Sequence, residues 1–127
     1  IARLRRNPKK HSGDWEIGYA YFPACIQEHR EERPYMTRLL VIVDVQSRFV
    51  LSMGLEAPDK HLPAFRDTLL SCLEEAQQWP QRFLVNHENA ATLAAPIAKA
   101  LGITLKRVDD LPVFNMIYED MMESMHR

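Results

Sequence analysis

YMTRLLVIVDVQSRFV, residues 35–50, constrains the architecture more than any other part of the sequence. It contains five consecutive apolar residues, Leu39 to Val43, and three of them are β-branched. Continuous runs of this kind are typical of a strand that is covered on both faces. We therefore predict a central strand from Tyr35 to Asp44. Gln46 and Ser47 then form a short turn, and Arg48 to Leu55 returns as an antiparallel strand.

Another strand precedes this hairpin. Large apolar residues alternate with other residues there, at Trp15, Ile17, Tyr19 and Tyr21. Alternation is the period of a strand with one packed face. The pattern predicts a first strand from Trp15 to Phe22 that ends at Pro23, followed by a polar loop, QEHREERP, at residues 27–34.

The rest of the chain changes to a period of three to four residues, which indicates amphipathic helices. Three apolar stripes carry this period: Leu62, Phe65, Leu69, Leu73 and Ala76; Leu93, Ile97 and Leu101; and Phe114, Ile117, Met121 and Met125. We predict a first helix over His61 to Gln78, stopped by Pro80. Short apolar strands, Phe83 to Val85 and Ile103 to Val108, separate the three helices.

Residues at the helix ends refine these boundaries. Asn89 is predicted to cap the second helix, and Gly102 to close it in a left-handed conformation. Pro96 lies inside that helix and is predicted to kink or split it. Asp109 or Asp110 can cap the last helix, which begins near Pro112.

The predicted order is strand, strand, strand, helix, strand, helix, strand, helix (βββαβαβα). Three antiparallel strands are followed by crossover connections, which place strands parallel and cover the sheet with helices. The sequence therefore predicts an α/β fold, with a mixed five-stranded sheet and helices on both of its faces.

Length and composition favour one soluble globular domain. The chain has 127 residues, of which 46% are hydrophobic and 26% charged. No apolar run approaches the roughly 20 residues that span a bilayer, and no leader pattern is present. Cys25 and Cys72 are the only cysteines, which suits a reducing compartment. We expect a cytoplasmic location without membrane contact, and Ile1 in place of methionine is consistent with a piece cut from a longer protein.

Charge is unevenly distributed along the chain. Residues 1–12 contain five basic residues and no acidic one: Arg3, Arg5, Arg6, Lys9 and Lys10. The remainder carries 11 basic against 17 acidic residues, so an acidic body follows a basic segment. We predict a basic N-terminal arm or linker at residues 1–13 and one domain at residues 14–127. The arm could contact phosphates, although a solvated linker from a preceding domain explains the same residues.

Three local patterns in this order resemble the ribonuclease-H-like catalytic cores of retroviral integrases and DDE transposases. Trp15-Glu16-Ile17-Gly18 resembles the Trp-x-x-Asp with which the first strand of that family begins. The hairpin resembles its apolar run, acid and Ser-Arg-aromatic-Val, here Val41 to Val50. Asn86-His87-Glu88-Asn89, a helix and Gly102-Ile103 resemble its Asp-Asn-Gly, helix and Gly-Ile. The resemblance covers residues 14–125.

The chain is also similar to an uncharacterised family of bacterial domains of this fold. Members have a polar, proline-containing loop before the second strand, and an ending of Gly-Ile, acid and Leu-Pro. In this sequence that ending is Gly102-Ile103, followed by Asp109 to Pro112.

The resemblance implies where catalytic acids would lie. Two-metal phosphoryl transfer needs convergent carboxylates that hold two divalent cations about 3.5–4 Å apart. The family supplies them from the first strand, the end of the fourth strand and the last helix. The corresponding positions here are Gly18, then Asn86 or His87, and finally Glu119 or Asp120. Neither glycine nor a neutral side chain replaces a hard anionic ligand.

Alternatively, the remaining polar residues line a residual pocket. Its candidate members are Asp44, His87, Glu88, Glu119 and Asp120. Each also has a simpler interpretation: Asp44 organises a turn, Glu88 belongs to a helix cap, Glu119 lies on a solvated helix face, and His87 is a loop histidine.

These patterns leave three functions open. The leading hypothesis is a non-catalytic integrase-like domain, without cofactor, that is a binding or assembly module of a larger protein. The second is a divergent metal-dependent polynucleotidyl transferase or nuclease that uses Mg²⁺ or Mn²⁺ with Asp44, Glu88 and Glu119. The third is a nucleic-acid binder that works through the basic arm. The sequence leaves the partner open: a protein partner or a homodimer could use the free edge strand or the methionine-rich last helix, where Met122 lies off the apolar stripe.

Overall fold

The computed structural model of the protein describes residues 2–26, 35–57 and 61–125. The elements, numbered in chain order, are α1 (Ala2–Arg6), β1 (Asp14–Ile26), β2 (Tyr35–Asp44), β3 (Val50–Glu56), α2 (His61–Glu75), β4 (Arg82–Val85), α3 (Glu88–Leu101), β5 (Thr104–Arg107) and α4 (Pro112–Met125). After the short α1, this is the βββαβαβα order that the sequence predicts.

The five strands form one mixed sheet in the order β3-β2-β1-β4-β5. β2 pairs antiparallel with both β1 and β3. β4 runs parallel to β1 and to β5. The predicted α/β fold with a mixed five-stranded sheet is confirmed, and the apolar run of β2 lies inside the sheet.

Helices cover both faces, which explains why the run in β2 is continuously apolar. Leu40 and Ile42 belong to the larger core with α2 and α3. The intervening residues of the run, Leu39, Val41 and Val43, belong to a second core beneath α4. All five are fully buried. No helix in these residue ranges is long and apolar enough to cross a membrane.

Two prolines interrupt the structure less than predicted. β1 continues past Pro23 to Ile26, and its register with β2 shifts between Phe22 and Cys25. A register irregularity tolerates a residue that lacks an N–H donor. α3 is one helix around Pro96. Thr92 and Pro96 are both exposed, so water can hydrate the Thr92 carbonyl that Pro96 leaves without a donor.

Several predicted boundaries shift by a few residues. β3 begins at Val50 instead of Arg48, whose positive φ of 61° belongs to the turn. α2 ends at Glu75 instead of Gln78. β5 is shorter than the predicted Ile103 to Val108. Gly102 closes α3 with a φ of 71°, which confirms its predicted left-handed conformation.

The N-terminal segment packs against the domain. Leu4 of α1 is buried in the larger core. Lys10 and Ser12 exchange backbone hydrogen bonds with Trp79, in register with the β1–β4 ladder. The Lys9 ammonium donates to the carbonyl oxygens of Leu73, Glu74 and Ala76, where α2 ends. Leu4, Lys9, Lys10 and Ser12 of this segment therefore contact the folded body.

Candidate functional site

Gly18 lies in the middle of β1, paired with Val41 of β2, and its α-carbon faces α4. The ring of Phe114 lies against it: a Cβ built on Gly18 would be 2.0 Å from Phe114 Cδ2. Real Cβ atoms do not approach carbon this closely, so the ring occupies the space into which a side chain at position 18 would project. The position that the resemblance assigns to the first acid has no room for a carboxylate while Phe114 is in place.

Asn86 follows the last residue of β4 and binds the backbone of β1. Its Oδ1 accepts from the Tyr19 amide at 2.9 Å, and its Nδ2 donates to the Tyr19 carbonyl at 3.3 Å. The β1–β4 ladder ends at the pair of Ile17 and Val85, so this side chain continues it by one step. Both ends of the amide are engaged in holding two strands together.

His87 and Glu88 begin α3. His87 is the N-cap residue, in place of the predicted Asn89, and its Nδ1 accepts from the Asn89 amide at 3.0 Å. The imidazole can take this role because its unprotonated nitrogen is an acceptor. Glu88 is exposed in the first turn, where the helix dipole favours an acid.

Asp44 lies at the other end of β1. It pairs with Trp15, whereas Asn86 lies beside Tyr19. Four residues along a strand correspond to about 13 Å, so Asp44 is distant from His87 and Glu88. Its carboxylate organises the predicted turn: it accepts from the Gln46 amide at 3.3 Å and from the Ser47 hydroxyl at 2.8 Å.

Glu119 and Asp120 are exposed on α4. Ile117 and Met121, on either side of them, pack toward the core beneath the helix. The five candidate members of a residual pocket are therefore divided among the Asp44 turn, the start of α3 and the outer face of α4. Across residues 2–26, 35–57 and 61–125, His, Cys, Asp and Glu side chains form no group of three able to hold a metal ion. These residues do not fit the pair of divalent cations that the fold family implies.

An aromatic cluster that the sequence did not predict lies where β1 meets the starts of α2 and α3. The Tyr19 ring lies 4.6 Å from His87, 5.7 Å from His61 and 6.3 Å from Phe65, centroid to centroid. The Arg38 guanidinium lies 4.3 Å above the half-exposed Tyr21 ring. His61 begins α2 and His87 caps α3, 26 positions further along the chain, so no local motif links the two histidines in the sequence.

Glu16 is a second residue that the sequence did not single out. It is buried, and its carboxylate accepts from the Phe114 amide at 2.8 Å and the Val113 amide at 3.4 Å. It therefore caps the start of α4, a role predicted for Asp109 or Asp110. This cap holds Phe114 over Gly18, since the residue that accepts the helix amides is two positions from that glycine.

A groove of about 350 Å³ lies between β3 and α2. Ser52, Asp67, Thr68 and Ser71 contribute polar atoms to its lining. Cys72 also lines it, and burial raises the pKa of its thiol to about 11, with a smaller contribution from the charge of Glu75. A thiol with a raised pKa is a poor nucleophile at neutral pH.

The five basic residues of the N-terminal segment have different environments. Lys9 binds the end of α2, and Arg3 forms an exposed ion pair with Glu74 at 3.2 Å. Arg5, Arg6 and Lys10 are exposed. Among the methionines of α4, Met122 is half-buried, whereas Met116 is 52% exposed.

Comparison with known proteins identifies a family and a fold. The family described as "Domain of unknown function (DUF6930)" matches residues 1–122. Among solved structures, the HTLV-2 integrase catalytic core domain in complex with magnesium is similar over 94% of this chain and 74% of that one, with a TM-score of 0.60 and 12% identity. Among curated protein sequences, none matches.

The catalytic core domain of BIV integrase is also similar, with a TM-score of 0.57 and 15% identity over 88% of this chain. The chain spans 65% of the length of that domain. At these identities the likeness establishes the fold alone. The protein has the ribonuclease-H-like fold of the integrase cores, as the sequence patterns indicate.

Proposed function

Because the chain belongs to the family described as "Domain of unknown function (DUF6930)", whose description names no activity, we propose a function from the site geometry. The domain is a non-catalytic module of the integrase-like fold that binds or assembles other parts of a larger protein. The observation that carries this proposal is the Phe114 ring, which fills the space beside Gly18.

Two further contacts support the same function. Both ends of the Asn86 amide are bonded to the Tyr19 backbone, so a cation that drew its oxygen away from the end of β4 would compete with strand pairing. The acids of α4 are exposed on its outer face. A site for two divalent cations requires several hard anionic ligands in one cleft, and these three positions supply no such cleft.

Calorimetric titration with Mn²⁺ tests the proposal. We expect the wild-type protein and Glu119→Ala to give the same weak, unsaturated heats, because Glu119 belongs to no group of three potential ligands able to hold a metal ion among the described residues. Tight binding of two ions by the wild type, lost in Glu119→Ala, would contradict the proposal and favour a divergent metal-dependent enzyme.

A cleavage assay addresses that enzyme directly. Single- and double-stranded DNA are incubated with the wild-type protein and Mn²⁺, beside Glu119→Ala and Asp44→Ala. We expect all three proteins to leave the substrates intact. Cleavage by the wild type that disappears in either variant would establish a nuclease and remove the non-catalytic proposal.

Binding of nucleic acid through the N-terminal segment requires a variant that keeps the fold. Deletion of residues 1–10 would remove Leu4 and Lys9, which contact the core and α2. Reversal of the exposed charges in Arg5→Glu with Arg6→Glu avoids this, and Lys99→Glu with Lys106→Glu, at two exposed lysines of α3 and β5, is the matched control. If the module does not bind duplex DNA, both variants give the same result as the wild type. An affinity for duplex that falls steeply with salt, and that is lost only in Arg5→Glu with Arg6→Glu, would favour nucleic-acid binding through the basic arm.

A further inference from the structure

The two edges of the sheet differ in character. The β5 edge, Thr104-Leu105-Lys106-Arg107, carries two exposed cations, which discourage pairing with another strand. The β3 edge, Val50 to Glu56, has no lysine, arginine or proline. Its exposed residues include Leu51, Met53 at 45% and Leu55 at 47%. Such an edge strand is a template for another strand.

β3 also extends an apolar surface that α4 covers only in part. Val50, Met53 and Leu55 pair with Val43, Val41 and Leu39 of β2, so their side chains lie on the same face of the sheet. The three β2 residues are fully buried beneath α4, whereas the three β3 residues are more than 40% exposed. The opposite face of β3 is covered, since a Cβ on Gly54 would contact Phe65 of α2.

The sequence of β3 is complementary to itself in the antiparallel direction. If Met53 of one copy lies opposite Met53 of another, Leu51 of each copy lies opposite Leu55 of the other, and Ser52 lies opposite Gly54. The large side chains of these pairs, Leu51, Met53 and Leu55, are apolar. Glu56 of each copy lies opposite Val50 of the other, at both ends of the paired strands. A twofold axis repeats each of these contacts, as an isologous interface requires.

We propose that the partner of this edge is a second copy of the chain, joined by antiparallel β3–β3 pairing about a twofold axis at Met53. The two sheets become one sheet of ten strands, and the uncovered stripes of Val50, Met53 and Leu55 meet beside the two α4 helices. The register shift in β3 lies at Leu51, between the Ile42–Ser52 and Val43–Val50 pairs, so Ser52 to Glu56 are regular and the Leu51–Leu55 pairs lie at the border of the regular ladder. The inference names β3 as the surface through which the proposed module assembles, so it rests on the proposed function.

The first test compares two methionines of similar exposure. Sedimentation velocity over a series of protein concentrations is measured for the wild type, Met53→Lys and Met116→Lys. We expect a wild-type dimer, a dissociation constant raised roughly tenfold or more in Met53→Lys, and no change in Met116→Lys, because Met116 lies on the outer side of α4. A wild type that is monomeric throughout, or a Met53→Lys that dimerises as the wild type does, would overturn the inference.

The second test measures the register. Residues directly opposite in an antiparallel pair have Cα atoms about 4.5–5.5 Å apart, within the range that a disulfide spans. We therefore expect Met53→Cys to form a covalent dimer on mild oxidation. In Leu55→Cys the two cysteines would lie about 13 Å apart, so this variant should remain uncrosslinked, as should the wild type with its native cysteines. Equal cross-linking in the two variants would exclude this register.

These outcomes separate the two proposals. A monomer that neither binds two Mn²⁺ ions nor cleaves DNA would overturn only the β3 interface. A Met53-linked dimer that cleaves DNA in Mn²⁺ would overturn only the non-catalytic function.

Discussion

The Phe114 ring occupies the space into which a side chain at position 18 would project, and the effect of this packing on stability can be measured. Gly18→Ala adds a single methyl that would overlap the Phe114 ring, so we expect a loss of about 3 kcal/mol in the free energy of unfolding. Gly54→Ala is the matched control in the same sheet, because its Cβ would lie 3.2 Å from the Phe65 ring. There we expect a loss below about 1 kcal/mol. Chemical denaturation measures both.

A double variant identifies the cause of that loss. In a Phe114→Ala background, Gly18→Ala should cost far less, because the ring that it overlaps is gone. If the effect of Gly18→Ala is the same in both backgrounds, the contact between position 18 and Phe114 does not explain it.

Cys72 provides a pH-dependent prediction. Its thiol has a pKa of about 11 in the folded protein, against an ordinary value of 9.0 that applies when the chain is unfolded. Between these values the unfolded state loses the proton first, so stability falls as the pH rises from 9 toward 11. Cys72→Ala has no such loss, so the stability of the wild type relative to Cys72→Ala should decrease over this window.

Ser71→Ala, at the neighbouring exposed position, is the control, and its difference from the wild type should not depend on pH. A difference between wild type and Cys72→Ala that stays constant from pH 9 to 11 would show that the thiol pKa is not raised by folding.

At the scale of single elements, the end of α2 depends on a residue from the N-terminal segment. The Lys9 ammonium donates to three carbonyls there, which helix geometry leaves without intrahelical donors. We expect Lys9→Met to lower the free energy of unfolding by about 1–2 kcal/mol. Lys10→Met removes the same charge from an exposed neighbour and should change stability little. If thermal or chemical unfolding gives the same loss of unfolding free energy in Lys9→Met and Lys10→Met, the loss comes from the change in net charge and not from this contact.

The elements themselves could largely be predicted because hydrophobic period and length determine them. The five consecutive apolar residues of β2 and the three helical stripes each correspond to an observed element. The ends were less predictable because side chains from distant residues determine them. Glu16 on β1 caps α4, and His87 takes the cap that Asn89 was predicted to form. Local sequence contains no signal for a cap that comes from 98 positions away.

At the scale of the whole molecule, protection of the sheet should decrease from its centre to the β5 edge. Residues 39–43 of β2 are buried on both faces, so their amides should exchange with solvent only through global unfolding. Amides of Thr104 to Arg107 lie at an edge with exposed side chains and should exchange faster. Native-state hydrogen exchange measures both sets, and equal protection would contradict a fold centred on β1 and β2.

The candidate site was predictable only as a set of positions. The resemblance directs attention to Gly18 and Asn86, but the sequence does not reveal what surrounds them. That Phe114 lies over Gly18, and that Asn86 binds the Tyr19 backbone, follows from how α4 and β4 pack on β1. The aromatic cluster around Tyr19 depends on the same packing, since its members come from three separate elements.

The overlap between position 18 and the Phe114 ring also constrains the order in which this chain could change during divergence. A carboxylate gained first at position 18 would have to displace an aromatic ring from a packed core. Exchange of the ring first would leave a void, at a loss of about 3–5 kcal/mol for a change to alanine. Either route passes through a weakened intermediate, so an acid at position 18 requires two substitutions that are each unfavourable alone. A carboxylate at position 18 is therefore compatible with this fold only together with a smaller residue at position 114 or with extra stability gained elsewhere.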